Sequence, residues 1–218
     1  SEDNKQASEG EIQQQELANF VWDSTMKSVK EAYDGDKTIG VVTQKNEDIE
    51  EPEYKDLHKI GTVAQILKLI KMPDGSKSIV IQGKSNFKVK QFTQSDPYFK
   101  ADVEPYAKEM DIEGLELDAS VRNIKETASK IINMSPNIPS EASIAVNNIN
   151  SPTFLLNFIS SNLNVSVSDK QSILEVRKFS DNLDKVMGFL EKEVQVLDMS
   201  EKIRTKVKSD IDDQQREF

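Results

Sequence analysis

The sequence predicts an α+β fold, a β-rich lobe followed by a helical lobe that ends in one long helix. Seven of the eight glycines lie at or before Gly114, four of the seven prolines precede Ala107, and no proline follows Pro152. The punctuated first half carries short runs that alternate apolar and polar residues. The second half instead repeats apolar residues at spacings of three and four, the period of a helix face. Turns and strands followed by unbroken helices leave this pattern.

In chain order, a polar N-terminal stretch leads into a short helix ending near Tyr33. Val29, Ala32 and Tyr33 hold helical spacing there, and Asp34-Gly35-Asp36 supplies the stop. Thr38–Thr43 reads as a compact buried strand. An acidic loop from Asn46 to Asp56, containing Pro52, leads to a strand over Ile60–Ile70. Pro73-Asp74-Gly75-Ser76 is a strong turn signal, and Lys77–Gly83 returns as the partner strand. Phe87–Phe92 and Phe99–Pro105 alternate with period 2, the second ending at proline. The regular return of short strands between Thr38 and Tyr106 predicts a small, strongly bent sheet or partial barrel.

In the second half, Leu117, Val121, Ile124, Ala128, Ile131 and Ile132 make one face of a helix over Gly114–Asn133. Ser135–Pro139 breaks it, and Ala142–Val146 begins a shorter one. Ser151-Pro152 sets proline at a helix start, with Phe154, Leu155, Phe158 and Ile159 as its apolar stripe. Ser168-Asp169 reads as the cap of the next. From Ser180 or Asp181 the chain runs nearly to its end with only Gly188 as an interruption. Leu183, Met187, Leu190, Val194 and Leu197 form a heptad seam, after which Met199, Ile203, Val207 and Ile211 drift onto a rotated, more charged stripe. That distal part reads either as a solvated end or as a spacer or assembly arm.

Composition narrows the function. The formal net charge is −10, and basic residues are spread along the chain among acids, so no concentrated basic face for nucleic acid is expected. The chain has no cysteine, which excludes disulfides, thiolate metal sites and cysteine nucleophiles and fits a reducing compartment. No apolar run approaches the ~20 residues of a membrane helix. The start, SEDNKQASEGEIQQQ, is the opposite of a signal peptide, so the Asn-x-Ser matches at Asn133 and Asn164 read as chance and the expected location is the cytoplasm.

No Walker loop, dinucleotide-binding glycine motif or G-x-S-x-G elbow occurs. His58 is the one histidine, which excludes two-histidine metal sites. No cofactor and no catalytic residue are therefore expected. Carboxylate pairs such as Glu50-Glu51 and Asp212-Asp213 read as solvated faces in so acidic a chain. What remains is binding. Phe20, Trp22, Met72, Tyr98 and Phe99 are apolar residues next to polar or turn positions; such residues are more often core than exposed anchors, and if several share one surface they form a partner contact. Met72 stands out, because it flanks a tight turn and its flexible thioether adapts to varied apolar partners.

Several segments together resemble the amino-terminal domain of bacterial Lon proteases, ATP-dependent proteases of the AAA+ class. They are Lys27–Tyr33, Ile39–Lys45, Asp56–Leu67, Lys71–Ser76, Val80–Gly83, Ser168–Glu175, Lys202–Lys208 and Gln215–Phe218. The resemblance implies a β-rich PUA-like lobe over residues 26–107, an α-helical bundle lobe over 108–180, and a long helix over 181–218 leading toward an ATPase module and a Ser-Lys protease module that are not in this chain. It implies a non-catalytic fragment that captures unfolded or damaged proteins and supports self-association in a hexameric parent enzyme. A stand-alone adaptor on the same fold is the alternative. Members usually open with a strand and loop like L-P-L-R-N-x-x-x-F-P-G; here Ile12–Thr25 reads IQQQELANFVWDST. Residues 1–25 are thus expected to be a polar tail or an altered first strand.

Overall fold

The computed structural model describes residues 16–19, 23–49, 51–73, 75 and 77–216. It is a mixed helix and sheet structure in two compact units, Ser1–Ala107 and Lys108–Phe218.

The first unit is a curled antiparallel sheet with one helix. Its strands are β1 (Glu16–Asn19), β2 (Thr38–Gln44), β3 (Leu57–Lys71), β4 (Lys77–Gln94) and β5 (Lys100–Pro105), and α1 spans Asp23–Asp34. The order is β1-β4-β3-β2, with β5 also on β4. β1 pairs with Ser78–Ile81 and β5 with Phe87–Gln94, so both lie along the edge of β4 that faces away from β3. A strand therefore does stand near the chain start, in the segment whose sequence departs from the Lon pattern.

Lys77–Gly83 and Phe87–Phe92 are not separate strands. They are one 18-residue strand, because a register shift opposite Val63-Ala64 absorbs Lys84 while pairing with β3 continues on both sides. Further shifts near Val42, Leu67, Lys90 and Thr93 add local bends. Each extra residue increases strand twist, which is how so few strands curl. On one face Val29, Ala64, Ile66, Ile79 and Ile81 close a core, with Ala32, Tyr33, Ile39 and Val41 packed against it. Phe87 is buried above Gly61, whose missing side chain leaves room for the ring.

The second unit is helical: α2 (Gly114–Met134), α3 (Glu141–Asn148), α4 (Pro152–Asn162), α5 (Val167–Leu174) and α6 (Phe179–Arg216). Its core joins Ile124 and Ala128 of α2, Leu155 and Ile159 of α4, Ile173 of α5, and Phe179, Leu183, Val186 and Leu190 of α6. Ser151 caps α4 as expected, its hydroxyl accepting the Phe154 N–H at 3.2 Å with Pro152 in the first turn. The cap of α5 is Ser166, not Ser168. Its hydroxyl accepts the Asp169 N–H at 3.0 Å, and Asp169, three residues on, suits the positive helix end. The start of α6 is fixed from a distance in sequence: Asp111 accepts the Ser180 N–H at 2.9 Å and its hydroxyl at 2.6 Å. Those bonds hold the Asp111 carboxyl below its usual pKa.

The heptad seam on α6 holds only in part. The buried stripe is Phe179, Leu183, Val186 and Leu190, whereas Val194 and Leu197 are half-exposed. From Val196 on, Val196, Met199, Ile203 and Val207 are all exposed. The core ends with the helices that pack on α6, so the seam loses its partner about halfway.

Lys108 ends α5. Its ammonium donates to the carbonyls of Ile173 (3.2 Å), Leu174 (2.9 Å) and Val176, and burial lowers its pKa to about 8. Lys108→Met strips that donor from the helix end, and the expected cost is about 1–3 kcal/mol at neutral pH. Between about pH 8 and 10.5 the unfolded chain holds a proton here that the folded chain has released. Stability from this group therefore rises across that window. Urea titrations of both proteins at either end of it should show the wild-type advantage widening with pH, and a narrowing gap would contradict the burial assignment.

Candidate functional site

Among the described residues of the sheet unit, the exposed large apolar side chains other than Val103 on β5 lie in two places. One is the tip of the β3–β4 hairpin. The Gly75 N–H donates to the Met72 carbonyl at 3.0 Å and closes a tight turn after Met72-Pro73. Proline presets the second position, and Gly75 takes the left-handed φ of +86° without a side-chain clash. The turn holds Met72 outward, 38% exposed, and Leu67 and Leu69 on the adjoining strand are 43% and 37% exposed. Register explains Leu69. It lies opposite Ile79, two residues from Ile81 on the face that α1 covers, so it continues the apolar row of the core to its end.

The other place is an aromatic cluster. Tyr54 stacks on Phe92 at 4.4 Å between ring centroids with 7° between planes, and Phe99 leans on both at 5.2 and 6.0 Å. Tyr54 and Phe99 each keep over a third of their surface in solvent. Tyr98 beside them is half-buried and engaged in structure. Its hydroxyl donates to the Glu31 carboxylate, and its carbonyl accepts from the Gln94 side chain at 3.0 Å. That hydroxyl, and then Lys100 at 3.2 Å, hold the Glu31 carboxyl below its usual pKa.

Met72 and Phe99 thus sit at opposite ends of β4, each in its own cluster, and Tyr98 serves to tie the β4–β5 loop to α1. Phe20 and Trp22 lie outside the described residues. Sequence reasoning missed Leu67, Leu69, Tyr54 and Phe92. Leu67 and Leu69 read only as members of the strand over Ile60–Ile70, and nothing in the spacing of Tyr54 and Phe92 shows that they stack.

The charge of the hairpin also corrects the sequence reading. β3 and β4 carry seven lysines, at 59, 68, 71, 77, 84, 88 and 90, and the whole segment from Leu57 to Gln94 has one acid, Asp74. All seven lysines are exposed. Basic residues are therefore concentrated on this hairpin, within a chain of net charge −10. The signal lay in the sequence and was masked by the acids on either side.

Among the described residues no cluster of His, Asp or Glu is placed to hold a metal ion. His58 is half-buried on β3. In the helical unit Glu126, Ser129, Lys130, Asn133, Met134 and Asn147 line an open groove. No helix of the described residues is long and apolar enough to cross a membrane.

Comparison with known proteins converges on one family. Residues 19–192 match the family described as the ATP-dependent protease La (LON) substrate-binding domain. The chain is 42% identical over 200 residues to a Lon protease of Cytophaga hutchinsonii, covering 89% of this chain and 24% of that protein. It is 44% identical over 175 residues to a Lon protease of Chloroherpeton thalassium, covering 80% and 21%. The chain thus spans about a quarter of the length of these relatives. Among solved structures, the N-terminal domain of a Mycobacterium avium complex Lon protease shares the fold at a TM-score of 0.60 and 15% identity, over 81% of this chain and 90% of that one.

Proposed function

The chain belongs to the ATP-dependent protease La (LON) substrate-binding domain family, and we propose that it is the part of a Lon-type protease that captures unfolded or damaged proteins by their exposed apolar segments. In this reading the sheet unit is a PUA-like lobe and the helical unit a bundle. Neither is catalytic; the ATPase and Ser-Lys protease chemistry belongs to other modules of a cytoplasmic, hexameric parent enzyme. Capture at one site is weak, and a ring of copies multiplies it. The exposed distal stripe of α6 is the assembly side of the same reading.

The observation that supports capture most directly is the hairpin tip. Three large apolar side chains are exposed there, Leu67 and Leu69 on β3 and Met72 at the proline-preset turn. Clustered apolar exposure on a rigid element suits a partner of varied sequence, and methionine adapts to many.

Light scattering of a denatured protein diluted into buffer, with and without this chain, tests the proposal. The chain should suppress aggregation. Met72→Asp should weaken that suppression several-fold and leave the circular-dichroism melt nearly unchanged, since an exposed substitution shifts stability by about 0.5 kcal/mol or less. No suppression by the wild-type chain sinks the capture reading. A large drop in melting temperature in the variant makes Met72 a packing residue instead.

A further inference from the structure

At the hairpin tip the apolar residues are interleaved with a charge arrangement that folding does not explain. Lys71 and Lys77 are directly opposite across the last rung of β3 and β4, on the face that carries Leu69 and Ile79. Like charges at opposed positions of an antiparallel pair repel and destabilise the hairpin. Lys68, opposite Val80, lies on the other face, and no ion pair to Lys71 or Lys77 occurs among the described residues. A local element that works against its own fold is where function is to be sought.

We propose that the tip selects client segments in which apolar residues are interleaved with acidic ones. The proposal rests on the capture reading above and adds a charge preference to it. Leu67, Leu69 and Met72 take the apolar side chains, while Lys71 and Lys77 pair with carboxylates between them. A carboxylate set between Lys71 and Lys77 turns their repulsion into two attractions, so the arrangement that costs stability in the free hairpin favours the bound one. An extended polypeptide is the occupant that fits, because its side chains alternate at the spacing of the strand beside it. A nucleic-acid backbone would meet the lysines but leave the three apolar side chains without a partner. The preference also runs against the chain as a whole, since a net charge of −10 by itself attracts basic segments.

Fluorescence anisotropy at low salt tests this with a labelled peptide rich in leucine and phenylalanine that carries glutamates, and with its twin bearing lysine at each glutamate position. The glutamate peptide should bind on the order of tenfold more tightly, the sum of two exposed pairs. Added salt should erase the difference. In the double variant Lys71→Gln, Lys77→Gln the preference should vanish, while the thermal melt stays at or above that of the wild type because the cross-strand repulsion is gone. Lys71→Glu with Lys77→Glu should invert it. Equal affinities, or tighter binding of the lysine peptide, overturn the proposal and mark the lysines as guards against edge-to-edge aggregation. A preference that survives Lys71→Gln, Lys77→Gln overturns its placement at the tip. A single-stranded oligonucleotide that binds more tightly than the glutamate peptide through the same lysines overturns it in favour of nucleic acid. Failure of both peptides to bind sinks capture itself, whereas binding of both without preference sinks the charge proposal alone.

Discussion

Gly61→Ala should destabilise the sheet unit by about 3 kcal/mol or more, an effect out of proportion to one methyl group. A Cβ at this position would lie 2.4 Å from the Val41 carbonyl oxygen, 2.7 Å from a Val42 methyl and 2.8 Å from the Phe87 ring tip. The first contact is with backbone in a paired strand, Val42 being opposite Gly61 in the β2–β3 ladder. The ring cannot simply turn aside either, because Phe87 is 4% exposed and also presses on Gly40, whose Cβ would lie 3.1 Å from the same ring atom. Two glycines on neighbouring strands thus make the recess that Phe87 fills. The variant must either push β2 away or drive the ring out of the core. Denaturant titration followed by circular dichroism measures the loss, and hydrogen exchange in β2 and β3 locates it. A loss below about 1 kcal/mol, with β2 still protected, would show that the ladder can yield.

That recess also shows where sequence reading stops. Gly40 and Gly61 read as ordinary members of Thr38–Thr43 and Ile60–Ile70, and both strands form. That the glycines meet one phenylalanine is set by register, which periodicity within a strand does not specify. The same reason merges Lys77–Gly83 with Phe87–Phe92. Gly83 looks like an end, and only the partner strand shows that pairing resumes after Lys84. Local signals fared better. Pro73-Asp74-Gly75 marks the turn, and Ser151-Pro152 marks a helix start, because each acts within a few residues. At the candidate site, Met72 was legible from its turn, while the opposition of Lys71 and Lys77 depends on the loop length that sets the register between them. The aromatic cluster was not legible, since Tyr54, Phe92 and Phe99 come from three separate segments.

Phe179→Ala should cost the helical unit about 3–5 kcal/mol, the usual range for removing a buried aromatic side chain. Phe179 is 1% exposed in the core formed with α2, α4 and α5, and it opens α6. Its N–H donates to the Glu109 carbonyl at 2.8 Å, and the next residue is held by Asp111, so the backbone of this helix start is fixed around the ring. With the ring gone, those bonds remain but bracket a cavity. Single domains are stable by only ~5–15 kcal/mol, so the loss is a large share of the total. Its effect should be uneven along α6. Residues 179–190 gain their protection from the core and should lose it in hydrogen exchange by the full amount. Around Val196, Met199, Ile203 and Val207 no core contact supports the helix, so exchange there should already be fast in the wild type and change little. If that distal stretch is instead as protected as the first turns, something covers its apolar stripe in solution. Dilution then separates the two sources: protection that falls with concentration comes from another copy of the chain, and protection that persists comes from within one copy.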